Sequence, residues 1–143
     1  MRAAHVPFED LHVGRVAELQ WIVSADEIDA FATLSGDHNP LHTDAAFARA
    51  QGFPDRVAHG FLLGAKVSAF VGMLMPGRDC LLLETNLRWP QAVHARDEVT
   101  IRGEITELSS EQRIMKIKIR ATKAGASKTV VVGRGWALCQ SRS

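Results

Sequence analysis

The chain has 143 residues, of which 17 are Lys or Arg and 16 are Asp or Glu, for a formal net charge of +1. This length fits a single domain, 1–143, and is sufficient to bury a core. A charge so evenly balanced produces no field that would make nucleic acid or an anionic membrane the main partner.

Cysteine usage and hydropathy indicate a cytoplasmic protein. Cys80 and Cys139 are far apart and form no C-x-x-C motif, so we expect free thiols in a reducing compartment. A proline and two acidic residues fall within the first ten positions, which is unlike a signal peptide. The longest apolar stretch, residues 61–75, contains a lysine and is too short to span a bilayer.

The N-terminal half predicts one strand and two helices. Residues 16–23 have the mixed pattern of a strand. Ser24 and Glu27 form a capping box, in which each side chain satisfies a free backbone N–H of the helix start, and apolar residues at helical spacing extend this helix over 25–34. A second, short helix is predicted over 45–50.

A segment that is apolar on almost all sides, Gly60 to Leu74, follows. Such a helix belongs inside a protein, wrapped by other elements. The rest of the chain alternates as β-strands over 80–89, 98–108, a third strand containing Ile114, Ile117 and Ile119, and 129–138. The predicted class is therefore α+β, with a long antiparallel sheet wrapped around a central buried helix.

Two residues with acid/base chemistry, Asp37 and His42, lie five positions apart on a loop stiffened by Pro40. A carboxylate and an imidazole can share general acid/base work, and His titrates near neutral pH. Taken alone, Asp37 is typical of a turn, and His42 of a structural or surface histidine. Their combination on one Pro-containing loop favours a catalytic pair.

The apolar helix begins at His59-Gly60. His59 could cap the helix, and Gly60 could simply permit a tight entry. Alternatively, the absence of a side chain at Gly60 lets a substrate carbonyl reach the first free N–H groups, where the helix dipole favours negative charge. Ser68 lies two turns further on, and a serine in a packed helix most often bonds back to the backbone.

Motifs for a metal, a cofactor or a covalent nucleophile are missing from the sequence. The spacing of His38, His42, Asp44 and His59 fits no closed zinc pattern. The sequence has neither a Gly-rich phosphate loop nor a dinucleotide fingerprint, and it lacks a G-x-S-x-G nucleophile elbow. We therefore expect no metal, no cofactor and no covalent intermediate.

The motif Ser35-Gly36-Asp37-x-Asn39-Pro40-x-His42-x-Asp44, with Ala58-His59-Gly60 downstream, resembles the hydratase signature of MaoC-like (R)-specific enoyl-CoA hydratases. The resemblance covers nearly the whole chain. It implies a single hotdog domain, usually a homodimer, that acts on an acyl-CoA thioester.

Position by position, the resemblance implies that Asp37 and His42 are catalytic and that Asn39 helps to orient the loop or the water. The backbone N–H of Gly60 matches the group that binds the thioester carbonyl, and Ser68 matches a helix serine near the catalytic pair. The implied reaction is the reversible hydration of trans-2-enoyl-CoA to (R)-3-hydroxyacyl-CoA.

Three alternatives stay open on the sequence. A hotdog thioesterase would use the same helix end, although the Asp-x-Asn-Pro-x-His loop argues against it. A dehydratase that acts on acyl-carrier-protein thioesters would differ only in what holds the acyl group. A subunit that binds acyl thioesters without turnover would retain the fold but have no need of the Asp37–His42 pair.

Overall fold

The computed structural model describes residues 1–125 and 128–139. In chain order its elements are β1 (Val16–Ile22), α1 (Ala25–Ser35), α2 (Pro40–Thr43), α3 (Ala45–Ala50), α4 (Gly60–Met73), β2 (Cys80–Arg88), β3 (Glu98–Ser109), β4 (Ile114–Lys123) and β5 (Lys128–Cys139). Among the described residues, no helix has both the length and the apolar character that a membrane crossing requires.

The five strands form one antiparallel sheet in the order β1-β3-β4-β5-β2. Strands β3, β4 and β5 form a meander in its centre, and β1 and β2 occupy the two edges. The sheet packs closely against α4 at Gly103 on β3, where an added methyl group would lie 2.4 Å from the ring of Phe70. The predicted plan of a sheet around a central helix is confirmed.

Helix α4 is buried on one side rather than on all sides. Its inward residues, Leu62, Leu63, Val67, Phe70 and Val71, belong to the core. The opposite face is exposed, and Phe61 at its start retains 72% of its surface. The near-complete apolar pattern predicted a helix covered all round, but within one chain a single sheet covers only one face.

Helix α1 is fixed to its neighbours by Glu27. The predicted capping box is present, since Ser24 Oγ accepts from the Glu27 backbone N–H at 3.1 Å and the Glu27 carboxylate accepts from the Ser24 N–H at 3.3 Å. The same carboxylate accepts from Trp21 Nε1 at 2.7 Å and forms an ion pair with Lys66 on α4. Burial opposes the charged form, but these hydrogen bonds outweigh it and lower the pKa of Glu27 below its usual 4.5.

The sequence did not predict α2 or a short 3₁₀ turn at Phe8–Asp10. Helix α2 is four residues long and lies inside the Asp37–His42 loop. Asn39 is its N-cap and Pro40 its first residue, a position where the fixed backbone of proline suits a helix start. The loop is therefore a cap and one helical turn.

Candidate active site

The Asp37–His42 loop faces the N-terminus of α4 across a cavity of about 360 Å³. This cavity is lined by Phe31, Ser35, Asp37, His42, His59, Gly60 and Phe61. A second cavity, of about 270 Å³, shares His42 and Gly60 with the first and extends toward Leu63, Trp89 and Val93. The structure thus brings together three of the predicted residues, Asp37, His42 and Gly60, at the boundary between two cavities.

Local hydrogen bonds shape the loop. The Asp37 N–H donates to Ser35 Oγ at 3.2 Å, and the Asn39 N–H donates to Asp37 Oδ1, also at 3.2 Å. Asn39 Oδ1 accepts from the Leu41 N–H at 2.9 Å and caps α2. The side-chain oxygen of Asn39 is therefore used inside the loop, where it holds the start of α2.

Asp37 and His42 are separated by 3.7 Å, measured from His42 Nε2 to Asp37 Oδ2. That distance is too long for a direct hydrogen bond, and it allows one water to contact both atoms. His42 Nδ1 lies 2.6 Å from the Val57 carbonyl oxygen. A carbonyl only accepts, so Nδ1 carries the hydrogen, and in the neutral ring Nε2 presents its lone pair toward Asp37.

The two groups differ in burial. The Asp37 side chain is 53% exposed, and the His42 side chain is 15% exposed. Solvent can therefore reach the site on the side of the carboxylate. On the other side, the imidazole lies against the protein interior, where its tautomer is fixed.

The N-terminus of α4 differs from those of the other helices. Ser24, Asn39 and Asp44 cap α1, α2 and α3 with side-chain oxygens. At the same position of α4, His59 makes no capping hydrogen bond. The first N–H groups of a helix have no partner within it, and none of the described residues accepts a hydrogen bond from the Gly60 N–H. Gly60 borders both cavities.

The ring of Trp89 packs against Gly60. A methyl group added at Gly60 would lie 3.1 Å from Trp89 Cδ2 and 3.2 Å from Cε2. The Trp89 ring in turn packs against Phe61, with ring centroids 5.3 Å apart. Glycine at this position therefore leaves space for the indole beside the helix end.

His59 contacts both members of the acid/base pair, a role that the sequence did not indicate. Its Nε2 lies 3.0 Å from the Asp37 backbone oxygen, and its ring stacks on that of His42 at a centroid distance of 3.8 Å. The adjacent Gly60 was a signal that this position borders the site, but the contact to Asp37 spans 22 residues of sequence.

Ser68 lies away from these groups. It is exposed on the outer face of α4, and it does not line either cavity of the site. Within one chain the structure therefore does not bring Ser68 to the Asp37–His42 pair.

Asp37, His42 and His59 place ligand atoms within 4.8 Å of one another, close enough in principle for a metal ion. The ligand atoms of these three residues are not arranged to bind a metal ion. His59 Nε2 uses its hydrogen on a carbonyl, and the two imidazole rings are stacked with only 27° between their planes. Lone pairs lie in the ring planes and do not converge between stacked rings. The geometry favours a water molecule between Asp37 and His42.

Comparison with known proteins identifies one family. The family described as MaoC like domain matches residues 11–129. An (R)-specific enoyl-CoA hydratase of Aeromonas caviae is 36% identical over 122 residues, which are 85% of this chain and 91% of that protein. A Rhodospirillum rubrum protein of the same name is 32% identical over 94% of this chain and 92% of its own length.

The solved structure of the R-hydratase PhaJ1 from Pseudomonas aeruginosa superposes with a TM-score of 0.92 at 31% identity. The match covers 98% of this chain and 89% of that one. The hotdog fold is thereby confirmed. Since the family match covers most of the sequence and the relatives align along nearly their full length, the chain belongs to the MaoC-like domain family.

Proposed function

We propose that the protein catalyses the reversible hydration of trans-2-enoyl-CoA to (R)-3-hydroxyacyl-CoA. The observation that carries this proposal is the geometry of Asp37 and His42, which face each other at 3.7 Å beside an uncapped helix N-terminus. The relatives named (R)-specific enoyl-CoA hydratase support both the reaction and its stereochemistry.

In the hydration direction, Asp37 Oδ2 and His42 Nε2 hold one water against C3 of the enoyl thioester. The pair takes a proton from this water as its oxygen bonds to C3, and it returns one proton to C2. The two groups are only 3.7 Å apart, so we expect the hydrogen and the hydroxyl to add to the same face. Proton transfer by such groups contributes about 10²–10⁴-fold to a rate.

Negative charge develops on the thioester oxygen during the addition. The free N–H of Gly60 and the positive end of the α4 dipole are positioned to stabilise it. An oxyanion donor of this kind contributes about 10²–10³-fold in kcat. The second cavity, beyond Gly60 and walled by Leu63, Trp89 and Val93, provides an apolar space for the acyl chain.

The direct test is the hydration of crotonyl-CoA by Asp37→Asn and His42→Ala, followed by the loss of enoyl absorbance. Each variant should lose at least about 10²-fold in kcat while the circular dichroism spectrum is unchanged. His38→Ala is a matched control, because His38 lies exposed on the same loop and outside both cavities. Turnover near the wild-type rate in either test variant would contradict the assignment.

The alternatives are separated by product and carrier. Release of free thiol from acyl-CoA would indicate a thioesterase, and tight acyl-CoA binding without turnover would indicate a binding subunit. Parallel assays with crotonyl-CoA and a crotonyl acyl carrier protein decide which carrier is preferred. Chiral analysis of the 3-hydroxyacyl product tests the (R) configuration.

We infer further that the protein is a homodimer. Strand β2 is a sheet edge, bonded to β5 on one side, and its Leu81 and Leu83 are 55% and 49% exposed. An open edge with exposed leucines invites pairing with another strand. The exposed face of α4, which begins at Phe61, adds further apolar surface, so a second copy would cover surface that one chain leaves open.

Light scattering after size exclusion tests this association. Leu83→Lys should shift the protein from dimer to monomer, because a charge at a paired edge opposes strand addition. Leu34→Lys is the matched control: Leu34 is 84% exposed on α1 and belongs to neither β2 nor α4. A monomeric wild type would refute the inference.

The two cysteines support the proposed cytoplasmic location. Cys80 and Cys139 are register partners on β2 and β5, and both are free thiols. Burial raises the pKa of Cys139 to about 11, which disfavours the reactive thiolate. Fractionation of the native host, with the protein detected by antibody, tests the location.

A further inference from the structure

We propose that His59 is a positioning residue that sets the geometry between Asp37 and His42, an inference that rests on the proposed function. His59 is 3% exposed and contacts both members of the pair. It touches no reacting atom in the mechanism above. Its expected effect is on the rate of the chemical step rather than on substrate affinity.

The first contact fixes the Asp37 backbone. His59 Nε2–H donates to the Asp37 carbonyl oxygen at 3.0 Å. The other hydrogen bonds at Asp37 are local, from its N–H to Ser35 and from the Asn39 N–H to its carboxylate. His59 therefore supplies the described hydrogen bond that ties the exposed aspartate to a distant, buried part of the fold.

The second contact fixes the His42 ring. The His59 imidazole stacks on it at 3.8 Å, and Phe31 packs on His59 at 5.0 Å. His59 thus lies within a column of three rings that limits sideways movement of His42. Stacking sets the plane of the His42 ring, whereas its hydrogen bond to Val57 sets the rotation within that plane.

Both catalytic residues are therefore held by one short segment, residues 57–59. The Val57 carbonyl accepts from His42 Nδ1 at 2.6 Å, and His59 donates to Asp37. The segment is anchored in turn, because the Ala58 N–H donates to the Val93 carbonyl at 2.7 Å and the Val57 N–H donates to the Leu41 carbonyl at 2.9 Å. A single rigid segment can thus set the spacing of 3.7 Å.

A purely structural role does not explain histidine at this position. His59 Nδ1 is buried and has no hydrogen-bond partner among the described residues. A buried polar atom without a partner destabilises the folded protein, so an apolar ring of similar shape would fill the space at least as well. An apolar ring could not donate a hydrogen bond to the Asp37 carbonyl, and this bond from Nε2 explains why the residue is a histidine.

Two substitutions separate the contacts. His59→Phe keeps a ring against His42 but removes the donor to Asp37. His59→Gln removes the ring but retains an amide N–H₂ that reaches about as far as Nε2. We expect His59→Phe to lower kcat for crotonyl-CoA on the order of 10- to 100-fold, with KM little changed. The melting temperature should change little, because the loss of the hydrogen bond to Asp37 and the removal of the unpaired Nδ1 oppose each other.

His59→Gln should recover part of the lost kcat relative to His59→Phe. A merely structural role predicts instead that activity follows the melting temperature in both variants. Wild-type kcat in His59→Phe, or a Gln variant no more active than the Phe variant at equal stability, would overturn the proposal. If His59→Phe does not fold, His59→Gln decides the question, since a loss as large as that of Asp37→Asn would overturn the proposal and a smaller loss would support it.

A readout independent of turnover separates this inference from the proposed function. Amide hydrogen exchange at Asn39, whose N–H is bonded to Asp37 Oδ1, should be faster in His59→Phe than in the wild type. If the wild type were inactive toward every enoyl thioester, the proposed function would be refuted, but the exchange measurement would still test whether His59 positions Asp37. Equal exchange rates would refute the positioning role.

Discussion

Replacement of Gly60 by alanine tests whether the substrate carbonyl approaches the start of α4. The variant keeps the backbone N–H and adds one methyl group. That methyl would lie 3.1 to 3.5 Å from three atoms of the Trp89 ring. Trp89 is 37% exposed, so it can move by a few tenths of an ångström without disrupting the core.

The expected effect on stability is small because two contributions oppose each other. Alanine in place of glycine stabilises a helix interior by about 1 kcal/mol, and because Gly60 is the first residue of α4, the gain here is at most that. Crowding against Trp89 costs about 1 kcal/mol, the lower end of the range for overpacking, since the indole is partly free to shift. The free energy of unfolding should therefore change by less than about 1 kcal/mol.

The expected effect on catalysis is large. The methyl group and the shifted indole both occupy the boundary between the two cavities, where the thioester carbonyl must approach the N–H. A misplacement near 1 Å lowers a rate about 10²-fold, which corresponds to about 2.7 kcal/mol of transition-state stabilisation. Activity and stability should thus respond differently to the same substitution.

The assay is crotonyl-CoA hydration together with urea unfolding, with Gly72→Ala as the matched control. Gly72 is near the other end of α4, and an added methyl there has no neighbour within 4 Å. The control should gain up to about 1 kcal/mol of stability and retain full activity. Wild-type kcat/KM in Gly60→Ala would refute the placement of the carbonyl at this helix end.

Two further predictions concern stability. Because the pKa of Glu27 is lowered in the folded protein, ionised Glu27 adds to the free energy of unfolding above its usual pKa of 4.5, and this contribution is lost as the pH falls through the folded-state value. Glu27→Gln should therefore lower the free energy of unfolding by about 1 kcal/mol at pH 7 and weaken its dependence on pH below 4.5. Urea titrations measure this, and an unchanged pH dependence would contradict the prediction. Gly103→Ala should destabilise by about 1–3 kcal/mol, because its methyl would lie 2.4 Å from Phe70, whereas in the control Gly135→Ala the nearest atom is 3.6 Å away; equal thermal unfolding of the two variants would refute the packing argument.

Local patterns account for most of what the sequence predicted correctly. The capping box at Ser24 and the apolar period of α4 are properties of a few consecutive residues. Strand alternation likewise placed β2, β3 and β5 to within one residue at each described end, and it located β4 through Ile114, Ile117 and Ile119 without giving its bounds. Asp37 and His42 were found together because a single turn of chain, braced by Pro40, contains both.

Contacts between distant segments could not be predicted. His59 reaches Asp37 across 22 residues, and Trp89 reaches Gly60 across 29; neither partner is implied by a local pattern. The exposed face of α4 was missed for a related reason, since periodicity reports how apolar a helix is and not how much of it one sheet can cover. The exposed position of Ser68 could not be predicted for the same reason.

The uncapped start of α4 has a consequence for how stability and function are traded in this protein. A serine, asparagine or aspartate at position 59 would accept from the N–H of Phe61 or Leu62 and stabilise the helix by about 1 kcal/mol. An acceptor at position 59 would then lie beside the Gly60 N–H, to which the proposed mechanism directs the thioester oxygen. On the proposed function, the open helix start therefore costs the unliganded protein some stability, and the bound carbonyl supplies an acceptor that position 59 does not.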